Sequence, residues 1–218
     1  MKKIILSLLF LLTFSAFCFA SPKSWTKEEE RKVSLLFSNF AEVFLDDFAE
    51  NELSESLMID FAKDHIYMNR HNKLETQETE MEIFKLIPAS MVDEICLKFF
   101  GKKPSKHEQK IYEYPERDYD AYIFAHIYGY EYNEKEDTYN VKGYILSAPI
   151  GENFKGDPYG DIKKWKKDGN EVSCFYCFEG KIKKSPLDKN RYILLSFKKH
   201  EITEEENAVF QKAYETGK

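Results

Sequence analysis

The spacing of apolar residues changes once along this chain, and that change is what most constrains its fold. In the first half, apolar side chains such as Val33, Phe37 and Phe40 recur every three to four residues, the period of an amphipathic helix. From about residue 109 onward apolar and polar residues alternate, which is the period of a strand. Helices followed by strands predict an α+β fold, because Rossmann and barrel folds need alternating β and α units.

Three helices are predicted in the first half, each beginning at a residue whose side chain can accept hydrogen bonds from free backbone N–H groups. The first is expected from about Lys27 to Ala49. The third ends before Gly101, because glycine readily adopts the left-handed turn that closes helices. The predicted capping residues are Thr26 with Glu29, then Ser54 or Ser56, and then Ser90.

About five strands are predicted in the second half. Short connections at 133–137 and 185–190 imply antiparallel pairing. A longer loop rich in Gly, Pro and Lys spans 149–170, and the tail carries a capping box, Thr203-x-x-Glu206. The strands lie around Ile111–Tyr114, Tyr122–Tyr130, Tyr139–Ala148, Val172–Ile182 and Tyr192–Phe197.

These elements predict one domain over residues 21–218, with N-terminal helices packed on one face of a mostly antiparallel sheet of about five strands. The helical half covers about 25–101, the sheet half about 109–200, and a short tail 201–218.

The N-terminus has the layout of a secretory signal peptide. Lys2 and Lys3 precede an apolar run, and Cys18-Phe19-Ala20 places small residues at the −3 and −1 positions of a cut after Ala20. An uncleaved anchor is the alternative, since 4–22 carries no charge and nearly reaches the length of a membrane span. We expect an exported protein (periplasmic, cell-surface or secreted) with no membrane span after cleavage.

The overall charge argues against a nucleic-acid partner. The chain has a formal net charge of −6 at pH 7, and a protein that binds phosphates needs a basic face.

Three cysteines follow the leader, Cys96, Cys174 and Cys177, and the last two form a C-x-x-C pair. Neither a second Cys/His pair nor a following helix is apparent, so neither a zinc site nor a redox motif is predicted. On a regular strand, Cys174 and Cys177 point to opposite faces, and a disulfide between them needs a bulge. We expect buried thiols; a disulfide involving Cys96 and a metal or redox role stay open as alternatives. No cofactor or metal is predicted.

Catalytic signatures are missing from the sequence. It contains no G-x-S-x-G motif, and no second histidine follows His107-Glu108 at zinc-ligand spacing. Its 38 acidic residues single out no pair for glycoside cleavage. We therefore predict no catalytic residue.

Two aromatic segments are candidate ligand-binding surfaces. Tyr128, Tyr130 and Tyr132 alternate along one predicted strand, so they are expected to share a sheet face open to a glycan or peptide. Lys163, Trp165 and Lys166 belong to a lysine-flanked tryptophan that suits an anionic surface. The alternative for both segments is packing against the sheet.

The stretch Ile87-Pro88…Val92…Phe99-Phe100-Gly101, together with Arg191-Tyr-Ile-Leu-Leu-Ser-Phe-Lys-Lys, resembles uncharacterised exported bacterial proteins. The resemblance implies a fold and transfers no catalytic residue. The expected function is therefore non-catalytic binding of a peptide, protein or polysaccharide at the cell envelope. The alternatives are an envelope hydrolase, its accessory factor, or an inhibitor of a cell-wall-degrading enzyme.

Overall fold

Helices and antiparallel strands make up the chain in a computed structural model, which describes residues 24–117, 121–149 and 154–216. The α+β class is confirmed, while the predicted leader and its cleavage site lie outside the described residues. The elements are α1 (Lys27–Ala41), α2 (Glu55–Arg70), β1 (Glu75–Glu78), β2 (Ile83–Pro88), α3 (Ala89–Phe100), β3 (Ile111–Pro115), β4 (Ala121–Asn133), β5 (Thr138–Pro149), α4 (Ile162–Trp165), β6 (Ser173–Lys184), β7 (Tyr192–Glu201) and α5 (Glu204–Thr216).

The described ranges hold seven strands in two sheets, so the expectation of one sheet of about five strands is wrong. The smaller sheet has the order β1-β2-β3 and the larger one β4-β5-β6-β7. All four residues of β1 are exposed, so this strand has no apolar alternation by which to recognise it. The predicted strand at 111–114 pairs with β2 in the smaller sheet.

Helices cover both faces of the larger sheet, which corrects the prediction of N-terminal helices on one face. Along β5, Tyr139, Val141 and Ile145 belong to the core under α1, α2 and α3. The alternate residues Leu146 and Ala148 pack instead with α4 and α5. We call these the first face and the second face. A sheet that is buried on both sides must be apolar at odd and even positions alike.

The first helix ends at Ala41 rather than near Ala49. Leu45 N–H donates to the Phe40 carbonyl and Phe44 N–H donates to that of Ala41, the pair of bonds that closes a Schellman motif. Phe44 takes the left-handed position at φ +52°. Phe48 then forms an isolated β-bridge with Phe197 of β7. Phe44 and Phe48 thus continue the helical spacing of apolar residues in the sequence but lie outside the helix.

Most of the helix caps that the sequence predicts are formed in the structure. The Thr26–Glu29 capping box and the Ser54 cap are both formed. Gly101 closes α3 at φ +71°. Ser90 does not cap α3, because β2 runs directly into this helix through Pro88. None of the helices in the described segments is long and apolar enough to cross a membrane.

Candidate functional site

A cleft of about 990 Å³ lies along the outer edge of β4. Because β4 is the terminal strand of the larger sheet, no strand among the described residues pairs with this edge. Residues 127–130 form its floor, the first turns of α1 form one wall, and the 157–164 segment forms the other. We call it the edge cleft. It lies where the first-face and second-face layers meet.

The two walls are joined by an ion pair between Arg31 of α1 and Asp157. The Arg31 guanidinium also lies 5.4 Å from the centre of the Tyr159 ring. Asp157 is anchored in turn, since its carbonyl accepts a 3.0 Å hydrogen bond from the Trp165 indole N–H. The wall opposite α1 is therefore fixed to the second-face core.

A register shift between Ile127 and Gly129 places Tyr128 and Tyr130 on opposite faces. The Tyr128 ring lies 4.6 Å from Tyr144 on the second face. The Tyr130 ring stacks at 3.9 Å on Trp25 on the first face. The expectation that Tyr128 shares a face with Tyr130 and Tyr132 is therefore wrong, because the bulge breaks the period of two.

Only part of the predicted tyrosine row lines the edge cleft. Tyr128 and Tyr130 line it, and Tyr128 is 49% exposed. Tyr132 lies further along β4, where its hydroxyl donates a 2.7 Å hydrogen bond to Asp137.

Trp165 is 1% exposed and packs in the second-face core. Its ring is therefore not available to a ligand at the surface, in contrast to the surface interpretation of this segment. Lys163 and Lys166 are exposed beside it, and the Lys166 ammonium lies 5.3 Å from the Tyr214 ring centre. Of the lysines in this segment, Lys164 lines the cleft, rather than the predicted Lys163 and Lys166.

His126 is a cleft residue that sequence reasoning missed. Its Nδ1 is buried and has no hydrogen-bond partner among the described residues. Its ring lies 5.0 Å from that of Trp165. Burial lowers the pKa of His126 to about 4, so the imidazole is neutral at pH 7. The alternation of apolar and polar residues around Phe124 predicts a strand, but it does not indicate that His126 faces a cleft.

The cysteines lie in two places, and none of the three is in a disulfide. Cys96 is buried in the first-face core, where burial raises its pKa to about 12. Cys174 and Cys177 share the second face, because the register with β5 shifts between Ile145 and Leu146. The prediction of opposite faces for a regular strand fails at this bulge.

A second cluster adjoins this pair. The ligand atoms of Cys177, His200 and Glu206 all lie within 4.8 Å of one another. These are the residues of the described ranges that offer a metal ion a thiol, an imidazole and a carboxylate together.

The edge cleft presents charges of both signs and a strand edge. The positive charges of its lining are Lys27, Arg31 and Lys164, and the negative charges are Glu28, Glu30, Asp157 and Asp161. Asp161 is also committed to capping α4, accepting a 3.1 Å hydrogen bond from the Lys163 N–H. Such a surface matches a polar backbone better than an apolar ligand. Comparisons with models of protein families, with curated proteins and with solved structures found no match.

Proposed function

We propose that this chain is an exported, non-catalytic binding protein that takes an extended peptide segment of an envelope partner in the edge cleft. The peptide adds a strand to the outer edge of β4. The observation that carries the proposal is that residues 127–130 of this edge strand form the floor of the cleft.

An edge strand presents backbone N–H and C=O groups away from its sheet, and an extended peptide pairs with them. Part of this edge is already covered. The Ala125 N–H donates a 2.9 Å hydrogen bond to the Ser38 hydroxyl of α1. The cleft opens just beyond this point, so the free template is a few residues long.

Side chains on either side of the template can supply selectivity. Successive side chains of an added strand point to opposite faces. One set meets the exposed Tyr128 ring, and the other meets the first turns of α1 with Lys27 and Arg31. A rigid tyrosine gives contact area with little loss of side-chain entropy on binding.

The test begins with selection of peptides from a random displayed library against the chain without residues 1–20. We expect selected peptides to shift the backbone amide resonances of 127–130 in solution NMR. N-methylation at alternate peptide positions removes the N–H groups that a ladder needs, so it should abolish binding at one set of positions only. Binding that is indifferent to N-methylation would contradict strand addition.

Tyr128 and Tyr132 form a matched pair for this test, because both lie on β4 but only Tyr128 lines the cleft. Tyr128→Ala should weaken peptide binding at least about tenfold, the cost of about 1.4 kcal/mol of lost contact. Tyr132→Ala should bind like the parent. Isolated cell-wall polysaccharide is the competing ligand, and resonance shifts caused by it alone would replace the peptide proposal with a glycan one.

The export part of the proposal has its own test. Lys2, Lys3 and the apolar run support cleavage after Ala20. When the full chain is produced in a bacterium, mass spectrometry should find a mature protein beginning at Ser21 outside the cytoplasm. An intact leader on a cytoplasmic protein would contradict export and leave the cleft proposal standing.

A further inference from the structure

We propose that Cys177, His200 and Glu206 bind a divalent transition-metal ion of the zinc class where α5 docks on the second face. This site is separate from the edge cleft and does not rest on the proposed function. The sequence predicted no metal, because it offered no second ligand pair near Cys174-x-x-Cys177.

Strand register brings the first two ligands together. Cys177 of β6 and His200 of β7 are direct antiparallel partners, and side chains of such partners lie on the same face, close to each other. Two residues far apart in sequence thus become neighbours, and the sequence alone does not reveal this register.

The third ligand is positioned by a helix cap. Thr203 N–H donates a 2.9 Å hydrogen bond to Glu206 Oε2, and Glu206 N–H donates a 3.2 Å bond to the Thr203 hydroxyl. This capping box holds the carboxylate against the sheet, where Glu206 Oε1 and Oε2 lie 3.0 and 3.2 Å from His200 Nε2.

The donor set is chemically specific. Thiolate, imidazole and carboxylate bind zinc at roughly 2.0–2.3 Å, so ligand atoms around a tetrahedral ion lie about 3.5 Å apart. Ligand atoms within 4.8 Å of one another need only a small contraction to reach this. Calcium and magnesium prefer all-oxygen ligands, so sulfur and nitrogen donors favour zinc-like ions.

Access and a fourth position are also available. Cys177 is buried while His200 is exposed, so an ion can enter from solvent and reach the sulfur. Cys174 lies on the same face because of the β6 bulge, and its Sγ is now 3.7 Å from the Tyr176 carbonyl. The fourth ligand is therefore Cys174, after a side-chain rotation, or water.

The competing explanation is that His200 and Glu206 form only an ion pair at the helix cap. Cobalt separates the two, because Co²⁺ bound by a thiolate shows a sulfur-to-metal charge-transfer band in the near ultraviolet. The reduced chain without residues 1–20 is titrated with Co²⁺. We expect this band to saturate at one equivalent and to disappear when Zn²⁺ is added.

The variants assign the ligands. Cys177→Ser should lower the band to half its intensity or less, and His200→Gln should weaken cobalt binding more than about 100-fold, since loss of a direct ligand exceeds the usual cost of losing its supporting partner. Cys96→Ser is the matched control, because this thiol lies in the first-face core and should leave the titration unchanged. Halved band intensity in Cys174→Ser supports the proposal with Cys174 as fourth ligand, and unchanged intensity supports it with water.

Thermal unfolding gives an independent readout. Zn²⁺ should raise the Tm of the parent and of Cys96→Ser but not of His200→Gln, because a ligand bound only to the native state stabilises it. His200 is exposed, so this variant should fold even if Cys177→Ser does not. The proposal is overturned if the parent shows no charge-transfer band, or if the band keeps its full intensity in Cys177→Ser.

Discussion

The two faces of the larger sheet differ in what they bury and in what they carry. Under α1, α2 and α3, the first face packs a continuous aromatic core that includes Phe37, Phe40 and Phe61. The second face holds a smaller cluster around Trp165 and Phe210 beneath α4 and α5. The cleft wall and the Cys177 cluster belong to the second side. We infer that packing on the first face supplies most of the free energy of unfolding. The second face can therefore hold the cleft wall and the Cys177 cluster at little cost to stability.

The largest effect should come from removing a ring from the first face. Phe40 is fully buried, and the ring centres of Phe61, Phe99 and Phe100 lie 5.2–6.1 Å from its own. Phe40→Ala should lower the free energy of unfolding by about 3–5 kcal/mol, measured by urea denaturation.

Phe210→Ala is the matched deletion on the second face, where Phe210 is also fully buried. We expect a smaller global loss together with faster amide exchange confined to α5, because this helix can detach while the sheet stays folded. Equal losses, with exchange accelerated throughout, would show that the two faces unfold as one unit.

Lowering the pH should reduce the stability of the fold through buried histidines on both faces of the larger sheet. Burial lowers the pKa of His65 on the first face to about 3 and that of His126 beside the cleft to about 4. The unfolded chain binds these protons near pH 6.5 and the native chain does not, so stability falls as pH drops below about 6.5. The slope is at most about 1.4 kcal/mol per pH unit for each histidine.

Urea denaturation at pH 6.5 and 4.5 measures this slope. His65→Gln keeps a polar, uncharged side chain and should flatten the dependence of global unfolding. Because His126 lies beside the smaller core, its protonation should instead speed amide exchange in the 154–170 segment first. A slope unchanged by His65→Gln would remove this histidine as the cause.

Most of what the sequence predicted rests on local signals. The start of α1 follows from Thr26 and Glu29, and the end of α3 follows from Gly101, because a cap is made by neighbours in sequence. The β4–β5 and β6–β7 hairpins follow from short polar connections between apolar runs.

What failed depends on pairing between distant residues. The bulges near Tyr128 and Phe175 each reverse a face that strict alternation assigns, and only the neighbouring strand reveals them. The candidate sites followed the same rule. The sequence identified Tyr128 as a candidate residue but assigned it to the wrong face of the sheet. It did not identify His126 or His200, because their positions beside Trp165 and Cys177 depend on contacts between distant parts of the chain.

Two glycines give a finer test of how closely the faces are packed. A Cβ at Gly180 would lie 2.4 Å from Phe37 Cε1 on the first face, so Gly180→Ala should cost about 1–3 kcal/mol through overpacking. A Cβ at Gly129 would meet no atom within 4 Å among the described residues, apart from its chain neighbours, so Gly129→Ala should leave Tm nearly unchanged. A similar loss at both positions would contradict the packing difference.

The smallest effect should come from the ion pair that joins the two sides across the edge cleft. The Arg31 and Asp157 side chains are 54% and 45% exposed, and exposed pairs contribute about 0–1 kcal/mol because solvent and salt screen them. Arg31→Met should therefore shift the free energy of unfolding by less than about 1 kcal/mol, and added salt should narrow that difference. Amide exchange should still rise around Asp157 while α1 stays protected, because Asp157 then keeps the hydrogen bond from Trp165 but loses its link to α1. A loss well above 1 kcal/mol would mean that the two faces depend on this bridge rather than on their separate cores.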